Sequence, residues 1–239
     1  MRLDKFLTAC GVGSRTEVKK IIKSGAVSVN GKTATKADMH LEVDTDTVTA
    51  FGQEIKYREF VYLMLNKPQG YLSATRDGRT PTVMELVPDE YMHFEPFPVG
   101  RLDIDTEGFL LLTNDGDLAH RLLSPKKHIP KTYIAQLEKA VDDNAVDAFR
   151  AGVVLDDGYK TLPAELKSLS ETAPYFAEIV IHEGKFHQVK RMFQAVDNKV
   201  LYLKRTKMNG LALDESLELG QVREITEEEM KLLVPENAS

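Results

Sequence analysis

Cysteine is nearly missing from this chain, with Cys10 alone among 239 residues. A lone thiol excludes an intramolecular disulfide and a cysteine-based zinc site, so the chain suits a reducing compartment and Cys10 is expected to be a small core residue. Long apolar runs are missing too. None approaches the roughly 20 residues that span a bilayer, and the opening MRLDKF lacks the apolar core of a secretory signal. The expectation is a cytoplasmic protein with no membrane role. The six histidines are scattered, without the paired carboxylates or cysteines of a metal site, so no metal is expected. No glycine-rich phosphate loop or dinucleotide fingerprint stands between a strand and a helix, so no cofactor is expected either. Internal repeats and low-complexity segments are absent.

What is present reads as an ordinary globular protein, 42% hydrophobic and 28% charged, of a length between one large domain and two smaller ones. The net charge of −6 conceals an asymmetry. Residues 1–41 hold eight basic side chains against three acids, a net of +5, which leaves −11 for the rest. A basic module on an acidic body fits phosphate neutralisation at one end of the chain, although a solvated helix face would give the same count.

Within that module Ser14 and Glu17 form an S-x-x-E capping box, which predicts a helix start. Val18, Ile21 and Ile22 then share one side, while Arg15, Lys19 and Lys23 repeat every four residues on the next. Gly25 is a natural stop. AVSVNGKTAT alternates apolar and polar residues around Asn30-Gly31, a hairpin-turn signal. RLDKFL followed by SRTEVKKIIKSGAVSVNGK resembles the S4 RNA-binding domain over nearly all of residues 1–45. That resemblance implies RNA contact by Arg2, Arg15, Lys19, Lys20, Lys23 and Lys32, mainly to phosphates.

From Leu41 to Glu59 the chain turns acidic and loses periodicity, with a turn expected at Gly52, and the domain boundary is placed in this stretch. Beyond it, VYLMLNKPQGY, GFLLLTNDG, KTYIAQL, YFAEIVIH and NKVLYLKR read as strands bounded by turn residues. DLAHRLL, DNAVDAFRAG and HQVKRMFQAV read as amphipathic helices, and Thr226 with Glu229 opens a last helix that Pro235 should end. Strands and helices without strict βαβ alternation point to the α+β class.

Polar residues crowd at one strand mouth, PVGRLDIDTEGFLLLTNDG, residues 98–116. Asp103, Asp105 and Glu107 resemble the opening of a calcium loop, but Asn114 stands where that loop needs a bidentate glutamate. Taken alone, Asp103 and Asp105 would read as turn caps, Tyr133 as a buried strand tyrosine and Lys190 as a solvated helix lysine. They do not stand alone. NKPQGY, GRLDIDTEGFLLLTNDG, KTY at 131–133 and EGKFHQVKRMF at 183–193 occur in this order, and together they resemble the pseudouridine synthases. The DIDT and HQVKRM wording, joined to the S4-like module, most resembles the RsuA family acting on 16S ribosomal RNA.

This likeness spans nearly the whole chain, and it implies an S4 (α-L) domain with linker over residues 1–58. A catalytic domain over 59–239 would be built on a mixed, mainly antiparallel sheet with flanking helices. It implies Asp103 as the catalytic carboxylate, Tyr133 as the aromatic contact to the target base, Lys190 as the basic partner of the aspartate and Arg101 as an aid to base extrusion. Arg191 joins the RNA-binding set. The implied reaction isomerises uridine 516 of 16S rRNA, with a 23S uridine as the alternative target and a noncatalytic ribosome-associated RNA binder as the alternative class. The implied partner is 16S rRNA or a partly assembled small subunit, met by a monomer. Residues 185–207 carry seven basic side chains against Asp197 alone. Arg121, Lys126, Lys127 and Lys131 make a second basic cluster. A methyltransferase using S-adenosylmethionine would need a glycine-rich turn after an early strand, and none is evident.

Overall fold

The computed structural model describes residues 1–234, and they form two compact units: Met1–Val61 with Pro88–Pro96, and Tyr62–Val87 with the chain from Phe97 onward. In the first unit, α1 (Leu3–Ala9) precedes α2 (Arg15–Lys23). The capping box starts α2 as expected: Ser14 Oγ accepts from the Glu17 N–H at 3.4 Å, and Glu17 Oε2 accepts from the Ser14 N–H at 2.8 Å. Next come β1 (Val27–Val29) and β2 (Lys32–Thr33), joined by Asn30 and Gly31 with φ of 51° and 75°. Two left-handed residues in a two-residue loop match the right-handed twist of the flanking strands, which is why Asn-Gly marks such turns.

The stretch expected to be an aperiodic join folds instead into a hairpin of β3 (Val48–Ala50) and β4 (Gln53–Ile55), turning at Phe51 and Gly52. Strands of three residues are too short to show an alternation that separates them from loop. They complete an antiparallel sheet ordered β2-β1-β3-β4. Leu3, Phe6, Leu7, Val18, Ile22, Val27 and Val48 fill the core between this sheet and the two helices. The unit runs to Val61 and takes in the later segment 88–96 with α3 (Asp89–Met92). There the His93 ring occupies the space a Cβ on Gly11 would need, 2.8 Å away, and the Arg58 guanidinium lies 5.6 Å from the Phe94 ring centre. Cys10 is half-buried, and burial pushes its thiol up to about 11, so it is a packing residue rather than a reactive one.

The second unit is a nine-stranded sheet. Its strands are β5 (Tyr62–Lys67), β6 (Phe97–Pro98), β7 (Glu107–Thr113), β8 (Lys131–Leu137), β9 (Glu165–Ser168), β10 (Tyr175–Ile181), β11 (Val200–Met208), β12 (Leu211–Ala212) and β13 (Val222–Glu224). The order is β13-β5-β7-β11-β8-β10-β9, with β6 on β7 and β12 on β11. Among the described residues β7 and β11 pair in parallel and the other neighbours are antiparallel. The fold is therefore α+β on a mixed, mainly antiparallel sheet. β5 and β7 are buried almost throughout, which is why they read as unbroken apolar runs, whereas β8 and β10 alternate buried and half-buried positions.

Four helices flank the sheet: α4 (Gly116–Leu123), α5 (Asp143–Ala151), α6 (Gln188–Ala195) and α7 (Glu227–Leu233). Asp115 and Asp142 cap α4 and α5 by accepting the Leu118 and Ala145 N–H groups, each at 2.8 Å, and Thr226 with Glu229 caps α7 reciprocally. Pro235, expected to end that helix, lies outside the described residues. Leu118 and Leu122 of α4 pack with Met64, Phe109, Leu111, Met208 and Leu233 on one side of the sheet. No helix among the described residues is long and apolar enough to cross a membrane.

Candidate active site

Register places the chemistry. Lys67, Gly108, Arg205, Tyr133 and Ile179 lie side by side across β5, β7, β11, β8 and β10, one row of the sheet. Strands spaced about 4.8 Å apart put the Tyr133 backbone roughly 10 Å from Gly108. The loop that enters β7 at Glu107 carries Asp103.

This loop is pinned from two sides. Lys67 has no exposed surface, and its ammonium donates to the carbonyl oxygens of Asp103 at 3.1 Å, Ile104 at 3.4 Å and Thr106 at 3.0 Å, as well as to Pro68 at 3.0 Å. Burial pushes the Lys67 pKa down to about 8, against the upward pull of Asp105, Asp103 and Glu107, so at neutral pH it still carries its proton. Buried Ser73 grips the preceding residue, its hydroxyl donating to the Leu102 carbonyl and accepting the Leu102 N–H, both at 3.0 Å. The Gly70 N–H adds a bond to the Ile104 carbonyl at 2.8 Å. With its backbone fixed, the Asp103 side chain keeps 24% of its surface exposed, enough to meet a ligand.

The first turn of α6 faces this carboxylate. Lys190 Nζ lies 3.4 Å from Asp103 Oδ2 and donates to Asp105 Oδ1 at 2.5 Å, while His187 Nε2 is 3.7 Å from Asp103 Oδ1. Burial works against the Asp105 charge, but the Lys190 hydrogen bond and its positive charge hold this carboxyl below its ordinary pKa. The approach to α6 is itself clamped. Buried Glu183 accepts from Tyr159 Oη at 2.7 Å, the Leu162 N–H at 2.8 Å and Gln188 Nε2 at 3.0 Å, and Gln188 Oε1 accepts the Lys185 N–H at 2.9 Å.

The structure thus brings Asp103 and Lys190 together, with Tyr133 buried at 7% exposure in the adjoining row. Arg101 is exposed two residues before Asp103. Arg191 is not an open cation: its guanidinium pairs with Asp156 and with Asp157 at 2.7 Å. In the first unit Arg15, Lys19, Lys20, Lys23 and Lys32 are exposed, while Arg2 pairs with Asp4 at 2.7 Å.

Three supports escaped the sequence reading. Lys67 sits inside the NKPQGY motif, where its burial had no local signal. Glu183 opens EGKFHQVKRMF but bonds to residues some 20 positions upstream. Arg205, counted among the basic residues of 185–207, is 2% exposed, donates from Nε to the Phe109 carbonyl at 2.8 Å, and has a buried Nη2 without a partner among the described residues. Lys131 is likewise turned inward, donating to the Ile129 carbonyl at 3.0 Å, and burial pushes its pKa down to about 8.

Residues 61–195 match the family described as RNA pseudouridylate synthase, and residues 1–47 match the S4 domain. The chain is 54% identical to an uncharacterised RNA pseudouridine synthase of Bacillus subtilis, over 98% of both chains. It is 40% identical to the ribosomal small subunit pseudouridine synthase A of Haemophilus influenzae, over 98% of this chain and all of that one. The ribosomal large subunit pseudouridine synthase B of Bacillus subtilis is 38% identical, over 97% of this chain and 95% of that protein. A solved pseudouridylate synthase, 37% identical, superimposes with a TM-score of 0.68 over 98% of this chain and all of its own. With an S4 domain ahead of this sheet and full-length likeness on that scale, the chain belongs to the RNA pseudouridylate synthase family and is a pseudouridine synthase of the RsuA type, an isomerase.

Proposed function

We propose that this enzyme isomerises a uridine of ribosomal RNA, that the target is uridine 516 of 16S rRNA, and that Asp103 carries the reaction. The observation behind the assignment is the partly exposed Asp103 carboxylate, carried on a pinned loop, with the Lys190 ammonium of α6 3.4 Å away. The isomerisation breaks the bond from uracil N1 to C1′ of the ribose, turns the base, and joins C5 to C1′; the C5 proton is lost and N1 gains one. An ionised carboxylate serves either route to this outcome, by covalent attack on sugar or base or by removing a sugar proton on the way to a glycal. Lys190 steadies that anion. The base must leave the RNA stack to reach Asp103. Tyr133 is assigned to receive it, since stacking of a base on a tyrosine ring contributes roughly 1–3 kcal/mol. Arg101, exposed beside the site, is assigned to the extrusion step.

Small-subunit RNA is favoured by the RsuA-type relatives at 39–40% identity, and the large-subunit relative at 38% supports a second reading with a 23S target. Mapping pseudouridine across ribosomal RNA from cells lacking the enzyme, and from cells supplied with wild type or Asp103→Asn, separates them. The expected result is loss of one modification in 16S rRNA, restored by wild type and not by Asp103→Asn. A missing 23S site would establish the second reading, and full activity of Asp103→Asn would remove Asp103 from the chemistry.

A further inference from the structure

Beside the site stands an aromatic pair that the chemistry above does not use. Phe186 is 76% exposed, the most exposed of the large hydrophobic side chains among the described residues. A lone exposed apolar ring needs no explanation. This one is built in. One face is covered by the His187 imidazole, with ring centroids 3.7 Å apart and planes inclined by 19°. His187 is held at a φ of 49° directly before α6, and its Nε2 is the atom 3.7 Å from Asp103 Oδ1. The Phe186 carbonyl accepts from Arg191 Nη1 at 3.4 Å, and the Lys185 carbonyl accepts the Gln188 N–H at 3.1 Å, so the backbone on both sides is tied to the helix start. The outer face of the Phe186 ring is therefore presented to solvent from a fixed support, close to the carboxylate and flanked in sequence by Lys185 and Lys190.

We propose that the Phe186–His187 pair is a stacking platform for an unpaired nucleobase of the substrate RNA next to the target uridine, a base distinct from the uracil assigned to Tyr133. The proposal rests on the RNA-modifying reading above. Once the target nucleotide leaves its stack, its neighbours lose a stacking face, and an exposed ring stacked on His187, whose Nε2 is 3.7 Å from Asp103 Oδ1, supplies one. Stacking is tolerant of base identity, so the platform adds affinity and register rather than sequence choice.

The chain contains no tryptophan, so Phe186→Trp introduces a single indole at this spot. Titrating that variant with ribosomal RNA fragments bearing the target uridine should change indole emission and protect it from iodide, saturating where filter binding saturates. Fragments abasic at the positions flanking the target should bind with a much smaller response. In steady-state assays of pseudouridine formation, Phe186→Ala should raise KM for RNA about 5- to 150-fold, the range that a stacking contact corresponds to. Its kcat should stay within about twofold, and Phe186→Tyr should restore KM. A silent indole on RNA that filter binding shows to be bound, or an unchanged KM in Phe186→Ala, overturns the platform. So does a fall in kcat at unchanged KM, which would mean that the ring only braces His187. If the wild-type protein binds the RNA and the indole of Phe186→Trp responds to it, yet the wild type forms no pseudouridine, the platform stands and the catalytic reading falls.

Discussion

Lys67 shows how one buried side chain fixes the loop that carries Asp103. An ammonium with three protons meets four carbonyl oxygens, three of them on the loop that carries Asp103, and the carbonyls offset the cost of holding a charge away from water. That offset is incomplete, since burial lowers the pKa to about 8. In the unfolded chain the same amine titrates near 10.5. Between about pH 8 and 10.5 the unfolded state therefore binds a proton that the folded state has released, and stability contributed by this group rises with pH across that window, by up to about 1.4 kcal/mol per pH unit. Lys131, also lowered to about 8, adds a rise of the same sign. Urea unfolding at pH 7.5 and 9.5 should show a smaller rise for Lys67→Met than for wild type; equal rises would mean that Lys67 does not deprotonate there. Lys67 was visible in sequence only as part of a motif, and Arg205 only as a basic residue in a basic stretch. No local pattern tells a surface cation from one folded into a sheet, because the partners that accept its protons, Phe109 for Arg205 and Thr106 for Lys67, lie far away in the chain.

Elements with strong periodicity or caps were legible before the structure: α2 from Ser14 and Glu17, the β1–β2 turn from Asn30-Gly31, and β5, β7, β8 and β10 from their apolar runs. The order of strands was not, because pairing is set by contacts remote in sequence. The parallel pairing of β7 with β11 is the clearest case, and it is what delivers Arg205 and Tyr133 to the row beside the Asp103 loop. Gly108 marks the junction. Its φ is +102°, and a Cβ there would stand 2.1 Å from the Arg205 carbonyl oxygen, an atom of the partner backbone that no rotamer change can move. Gly108→Ala should therefore force β7 and β11 apart, with a stability loss of about 3 kcal/mol or more. Thermal unfolding would register it as a lowered midpoint, and a midpoint equal to wild type would show that the two strands yield without cost at this position.

For the whole molecule, charge is divided between units in a way that the net −6 hides. Arg15, Lys19, Lys20, Lys23 and Lys32 are exposed on the S4 domain, whereas Arg205 and Lys131 of the catalytic unit are turned inward and Arg191 is paired with aspartates. The proposed division gives part of the non-specific attraction to RNA phosphate to the S4 surface and selection of the reacting nucleotide to the Asp103 site, while exposed Lys126, Lys127, Lys185, Lys199 and Lys207 leave the catalytic unit cations of its own. Deleting the N-terminal residues is a poor test of this division, because Pro88–Pro96 belongs to the same compact unit and would lose its packing partners. Substitution keeps the fold: a Lys19→Ala, Lys20→Ala, Lys23→Ala triple variant removes three exposed side chains from α2, none of them in the domain core. Each phosphate contact contributes roughly 0.7–0.9 to the slope of log affinity against log salt, so the triple variant should show a slope shallower by about 2–3 and weaker binding at low salt. Its kcat at saturating RNA should equal that of wild type, since none of the three lies in the catalytic unit. An unchanged salt slope would place the phosphate contacts elsewhere, whereas a lowered kcat with an unchanged slope would show that these lysines act in the isomerisation itself.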